Sequence, residues 1–265
     1  MTDIAEDYLR LIGDWSDPYP APVVTMHQGV YVVRDDLLEL GSKVRSVDYL
    51  IGHDAAYAHV KEWVFGSCPA TGYAQISLPG ICSRYGKQAV LFMAKRDLEK
   101  LHPHQRRGLD LGAVYNWVPN GMLPVTQARA REYVAADPST RALLPLGLEH
   151  PTVVGSLIRV ARALPVTPDY IWSVGSSGTL SRSLQLAFPN AEVHVVSVGH
   201  SMTDKERGRA ILHRSAYKFN VPVRGNERPP FPSVPEYDAK GWHPMMQWMR
   251  STNPQGTVLF WNVGA

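Results

Sequence analysis

The stretch YIWSVGSSGTLSRSLQLAF, residues 170–188, decides the fold. Its first five residues form a short, nearly unbroken apolar run, the pattern of a strand covered on both faces. Its second half, LSRSLQLAF, spaces apolar residues at helical intervals. Between them Gly175-Ser176-Ser177-Gly178-Thr179 makes a turn of small polar residues. Strand, tight turn and helix in this order form a βα unit, and such units build parallel sheets. The turn also admits a chemical reading. Glycines let a ligand approach the backbone, and the N–H groups at a helix start favour a phosphate. The spacing is neither GxxxxGK[ST] nor GxGxxG, so a nucleotide-triphosphate or dinucleotide reading is weak, although a nucleotide-binding Rossmann-like enzyme would also explain the sheet and the loop. A phosphate cradle and a plain βα turn both stand open at this point.

The same alternation extends along most of the chain. VYVV (residues 30–33), AVLFM (89–93), GAVYNWV (112–118), VHVVSV (193–198) and TVLFW (257–261) read as further buried strands. YAQISLPGICSRYG, TQARAREYVAAD and HPTVVGSLIRVARAL read as helices between them, with Pro79 marking a kink in the first. An α/β architecture with a mostly parallel sheet is expected. Two segments interrupt it. KRDLEKLHPHQRRGLDLG (95–112) is charged and reads as loop, and NVPVRGNERPPFPSVPEYDAKGWHP (220–244) is too rich in proline for helix or central strand. Long ordered loops in compact domains commonly carry function.

Composition bounds the rest. A chain of 265 residues can bury a sizeable core as one large domain or two small ones. Its 45% hydrophobic and 19% charged residues exclude wholesale disorder. A formal net charge of +3 permits an anionic ligand or nucleic acid without requiring either. Cys68 and Cys82 form neither a CxxC pair nor a disulfide framework, as expected in a reducing cytoplasm. The opening MTDIAEDYLRLIG is acidic and lacks the basic start and apolar core of a signal peptide, and no apolar run reaches membrane-spanning length. A soluble cytoplasmic protein without a membrane partner is expected. His102 and His104 lack ligand spacing and cysteine partners, so no metal is expected. Cys68 reads as a small buried hydrophobe. Arg96, Arg106 and Arg107 read as a solvated face, or as phosphate contacts if the substrate is large.

RDDLLELGSKVRSVDYLI (34–51) places Lys43 straight after a Gly-Ser turn, where a strand hands over to a helix. By spacing alone such a lysine is a solvated helix-start residue. The functional alternative is a desolvated lysine able to form a Schiff base. Combined with a phosphate cradle, that alternative points to pyridoxal phosphate. The segment resembles the cofactor-lysine region of fold-type II pyridoxal-phosphate-dependent enzymes of the tryptophan synthase beta-like superfamily. The likeness is to the aminocyclopropane-carboxylate deaminase and D-cysteine desulfhydrase group. That group shows R-E-D-L and then G-N-K-x-R; here stand Arg34-Asp35-Asp36-Leu37 and Gly41-Ser42-Lys43-Val44-Arg45. Further stretches follow in the same order. PATGYAQISLPGICSRYGKQAVLFM is similar to the group's S-N-H loop with its helix and strand, and GSSGTLSRSLQLAFPNAEVHVVSVG to its phosphate loop. VPEYDAKGW resembles its V-Y-E-G-K element, and VLFWNVGA its H-T-G-G strand.

The resemblance implies a type II fold of two three-layer lobes with mostly parallel sheets and the cofactor between them. Residues 1–52 and 130–265 would form the large cofactor-binding lobe, and 53–129 a smaller inserted one. It implies that Lys43 carries the cofactor and that Gly175, Ser176, Ser177, Gly178 and Thr179 bind its phosphate. Asp238 would partner the pyridine nitrogen, Tyr237 would lie close to the reacting carbon, and Thr71 and Tyr73 would belong to the substrate loop. Two departures stand out: Ser42 replaces the Asn before the lysine, and Thr71-Gly72-Tyr73 replaces Ser-Asn-His. Tyr73 either stacks on the ring or packs into the core. The implied activity is a lyase acting at Cα of an amino-acid-like substrate, by deamination, elimination or decarboxylation, in a homodimer. Short phage-borne members imply an alternative, action on an amino acid attached to a thymine base in DNA hypermodification. A non-catalytic pyridoxal-phosphate-binding protein is a second.

Overall fold

The computed structural model describes residues 4–199 and 201–264. The first three residues of MTDIAEDYLRLIG and the last of VLFWNVGA thus lie outside the described residues. Contacts divide the chain into two units, one of the residues up to Ser42 with those from Val154 on, the other Lys43–Val153. The first unit opens with α1 (Ile4–Leu11), β1 (Val24–His27) and β2 (Val30–Arg34). The second holds α2 (Lys43–Gly52), β3 (Glu62–Phe65), α3 (Ala74–Arg84), β4 (Gln88–Ala94), α4 (Pro103–Asp110), β5 (Val114–Val118), α5 (Leu123–Ala135) and β6 (Arg141–Leu144). Helix α6 (Pro151–Arg162) leads back to β7 (Tyr170–Gly175), α7 (Thr179–Ala187), β8 (Glu192–Ser197), α8 (Asp204–Arg207), β9 (Ile211–Arg214), α9 (Ala239–Thr252) and β10 (Val258–Asn262).

The first unit is a six-stranded sheet in the order β1-β2-β10-β7-β8-β9. Only the β1–β2 pair is antiparallel. Gln28 and Gly29, both at positive φ, close that pair in the two-residue turn that matches strand twist. Every residue of β10 is buried, because both faces of the sheet are covered. One face meets α6 and α7 through Ile158, Leu184, Ile171, Val195 and Trp261. The other meets α9 through Trp242, Met245, Trp172 and Phe260. The second unit is a parallel four-stranded sheet, β5-β4-β3-β6. Helix α5 covers Val64, Val90, Phe92 and Val118 through Ala130, α3 packs on β4, and α2 packs on α3.

These contacts move the expected lobe boundaries. Helix α2 sides with the second unit because it packs on α3, so the division falls after Ser42 rather than after residue 52. Strand β6 pairs with β3 from Glu62↔Arg141 to Phe65↔Leu144, so residues 130–144 belong to the smaller sheet and not to the large lobe. The segment 95–112 is not all loop: α4 occupies its second half, closed by a capping box of His102 and Gln105. Likewise α9 begins inside the proline-rich segment and carries Pro244 within it. Among the described residues no helix is long and apolar enough to cross a membrane.

Candidate active site

In the first unit β7 ends at Gly175 and α7 starts at Thr179. Gly178 sits between them at φ +72°, a left-handed conformation that side chains rarely adopt. A Cβ there would lie 1.9 Å from the carbonyl oxygen of Glu206, so only glycine fits. The Gly175 carbonyl is held by the Val198 N–H at 3.0 Å, which ties the start of the turn to β8. Being glycine, the residue that caps α7 offers no side-chain acceptor, and the first turn of that helix contains no acidic residue. What the turn offers a ligand is therefore a set of backbone N–H groups and the hydroxyls of Ser177 and Thr179, 3.2 Å apart, while Ser176 is engaged elsewhere. Donors without carboxylates suit an oxyanion.

Tyr237 and Asp238 stand at the entrance of α9 and join this turn. The Tyr237 hydroxyl accepts hydrogen bonds from the side chain and N–H of Ser176. Burial, aided by the negative charge of Asp238, nevertheless pushes the phenol up to about 12. Asp238 itself is fully buried. The Gly/Ser turn, a phenol that stays protonated at neutral pH and a buried carboxylate are thus brought together within one unit.

The remaining expected residues lie in the second unit. Lys43 is the first residue of α2, partly buried, with its carbonyl accepting from Ser46 Oγ at 2.8 Å. Gly41, at φ +74°, makes the turn that precedes it. Thr71 and Tyr73 belong to the loop between β3 and α3. Gln75, almost wholly buried, donates to the Pro69 and Ala70 carbonyls and holds that loop. His104 of α4 supports it from the other side. Its ring lies 4.7 Å from that of Tyr73, and its Nδ1 is 3.1 Å from the Thr71 carbonyl. A carbonyl only accepts, so Nδ1 carries the proton. Burial holds the His104 pKa below the ordinary histidine value, with the neighbouring His102 acting the same way. Cys68, in the same loop, is pushed up strongly by burial and so stays a thiol. From sequence His104 is weighed only as a metal ligand, because a histidine in a charged stretch carries no signal of the tyrosine it meets.

A second group missed in the sequence fixes the end of β10. Asn262, fully buried, donates to Asp36 at 2.8 Å and to the Pro232 carbonyl at 3.0 Å, and accepts from Ser233 at 2.7 Å. Arg34 grips the same Asp36 with two hydrogen bonds of 2.7 and 2.6 Å. Asp35 accepts from the Trp261 indole at 3.0 Å. The Arg34-Asp35-Asp36 run therefore locks β2 to β10 and to the proline-rich loop. Among the described residues no group of three or more His, Cys, Asp or Glu is placed to hold a metal.

No protein-family model and no curated protein matches the sequence. Solved structures do match the fold. An ACC deaminase homologue superposes with a TM-score of 0.79, at 16% identity, over 97% of this chain and 94% of that one. The processed form of threonine deaminase isoform 2 from Solanum lycopersicum gives 0.74, at 14% identity, over 100% and 85%. Escherichia coli diaminopropionate ammonia lyase gives 0.64, at 14% identity, over 99% and 87%. The fold is that of the type II pyridoxal-phosphate-dependent enzymes. Within a type II fold, the Gly/Ser turn sits at the carboxyl end of a central strand, where parallel α/β sheets bind ligands.

Proposed function

We propose that the chain is a pyridoxal-phosphate-dependent lyase acting at the α carbon of an amino-acid-like substrate. One observation carries the reading: on a type II fold, the donor-only Gly175–Thr179 turn is joined through Ser176 and Tyr237 to the buried Asp238. These residues fit the cofactor. The turn offers N–H and hydroxyl donors to its phosphate, and Asp238 offers a water-free carboxylate to its pyridine nitrogen. Lys43 would hold it covalently through Nζ. Bound there, the cofactor supplies a conjugated sink for the electron pair left when a bond at Cα breaks. The negative charge of Asp238 favours a protonated ring nitrogen. Tyr237, protonated at neutral pH, acts as a hydrogen-bond donor rather than a base. Thr71 and Tyr73 would line the substrate, with His104 setting their positions. The deaminase and ammonia-lyase names of the structural neighbours support loss of an amine as the outcome.

The test is chemical. Protein incubated with pyridoxal phosphate, reduced with borohydride and digested should carry the added mass on the peptide containing Lys43. Lys43→Ala should abolish both that mass and the visible absorption band. Attachment at another lysine, or none, overturns the reading. Turnover of free amino acids is then expected. Turnover confined to amino-acid-modified DNA would move the substrate to DNA, and attachment without any turnover would make the chain a binding protein.

A further inference from the structure

Strands β8 and β9 end in a cavity of about 180 Å³. Its chemistry is one-sided. Arg214 and Lys218 line it together with Ser197, Ser201, Ser215 and Tyr217, and among the described residues no carboxylate does. Glu227 does not line it, and its carboxylate accepts from the Tyr217 hydroxyl at 2.7 Å. Arg214 and Lys218 make no ion pair among the described residues. Two like charges facing one small cavity repel each other, and an anion between them removes that cost. The wider charge distribution agrees. Residues 182–228 hold eight Lys or Arg against four Asp or Glu, whereas the rest of the chain holds nineteen against twenty. The positive excess of the protein therefore lies in the segment that supplies Arg214 and Lys218.

The frame is fixed rather than incidental. Ser197 lies directly opposite Gly175 in the β7–β8 register, so the cavity starts one strand away from the Gly/Ser turn. The Ser215 N–H donates to the Ser197 carbonyl at 3.2 Å, and the Tyr217 N–H donates to Ser215 Oγ at 3.1 Å. Ser215 Oγ thus spends a lone pair inward and keeps its own O–H for a ligand. Lys240, only 3% exposed, donates from Nζ to the Lys218 and Phe219 carbonyls, both at 2.9 Å. That buried amine pins the backbone on which the Lys218 side chain is mounted.

We propose that this cavity is an oxyanion subsite that takes a phosphate-type group, separate from the Gly/Ser turn. The group is either a phosphomonoester of a small molecule or a phosphodiester of a nucleic acid. Both present the same tetrahedral oxyanion to Arg214, Lys218 and the serine hydroxyls.

The test uses full-length protein loaded with pyridoxal phosphate, titrated by calorimetry at low ionic strength with inorganic phosphate and, separately, with a short oligothymidylate. Binding of at least one probe is expected. Arg214→Gln and Lys218→Gln should each weaken it roughly tenfold, the size of a lost charge-assisted hydrogen bond. Both residues are exposed, so the melting temperature and the cofactor band should not change. Tighter binding of the oligonucleotide with the same sensitivity assigns a phosphodiester; binding of phosphate alone assigns a small ligand. Binding indifferent to both substitutions, or absent for both probes, overturns the proposal. If the protein takes up no cofactor, the lyase reading fails, yet the dependence on Arg214 and Lys218 still decides the subsite.

Discussion

At the scale of single residues the site rests on a few positions with no substitute. Gly178 is the sharpest, since its left-handed φ and the Glu206 carbonyl 1.9 Å from any added Cβ both exclude a side chain. Gly178→Ala should cost about 1–3 kcal/mol in urea unfolding, the range for strain at such a position. Cofactor retention should fall with it, because the turn must open to relieve the contact. An Ala variant with unchanged stability and cofactor content would show that the turn is not built as described. Asn262 illustrates a different kind of residue. Its amide completes the partners of Asp36, Pro232 and Ser233 inside a strand that is otherwise apolar. A lone Asn at the end of VLFWN signals a buried polar contact, but nothing in the sequence names the partner some two hundred residues away.

At the scale of elements, what the sequence revealed follows from burial. Strands β7, β8 and β10 are covered on both faces, so they appear as continuous apolar runs and were found within a residue or so of their ends. Strands β1, β3, β6 and β9 have four residues each, too few to carry a period, and the outer β9 leaves Ile211 44% exposed. Helix α4 escaped for another reason: its buried side consists of only Gln105 and Gly108, which write no apolar stripe. The Gly/Ser turn was legible as a turn, while its link to Tyr237 needed the fold. Helix α4 still has a function in the second unit, since it carries His104 to Tyr73. Gly108 permits that approach: a Cβ there would lie 2.3 Å from the Gln75 carbonyl and 2.2 Å from the Tyr115 hydroxyl. Gly108→Ala should therefore push α4 off α3 and cost about 1–3 kcal/mol. Gly225→Ala, in open space and at ordinary φ, should be close to neutral in the same melting experiment. Equal melting temperatures for the two variants would argue against the close packing.

At the scale of the whole molecule, acid should weaken both units, and the sign follows from their histidines. His104 and His150 in the second unit, and His194 and His213 in the first, are all held below the ordinary value of 6.5, chiefly by burial. The pair in the first unit shows why. A carboxylate only accepts, so His194 donates through Nε2 to Glu192 at 2.9 Å, and its Nδ1 must accept from His213 Nε2 at 2.9 Å. The His194 ring also stacks on Trp172 at 4.3 Å. A proton added at His194 Nδ1 would face the His213 N–H, so the neutral pair is the folded one. As pH falls through about 6.5, the unfolded chain takes up these protons before the folded one does. Stability present above that pH is then lost, by up to about 1.4 kcal/mol per pH unit for each such histidine. Thermal unfolding at about pH 5.5 should occur below that at about pH 7.5, at fixed ionic strength. His213→Gln, which keeps a side-chain N–H donor but cannot titrate, should remove about one proton's share of the slope. A melting temperature that holds or rises on acidification would mean that these rings are not buried as neutral partners.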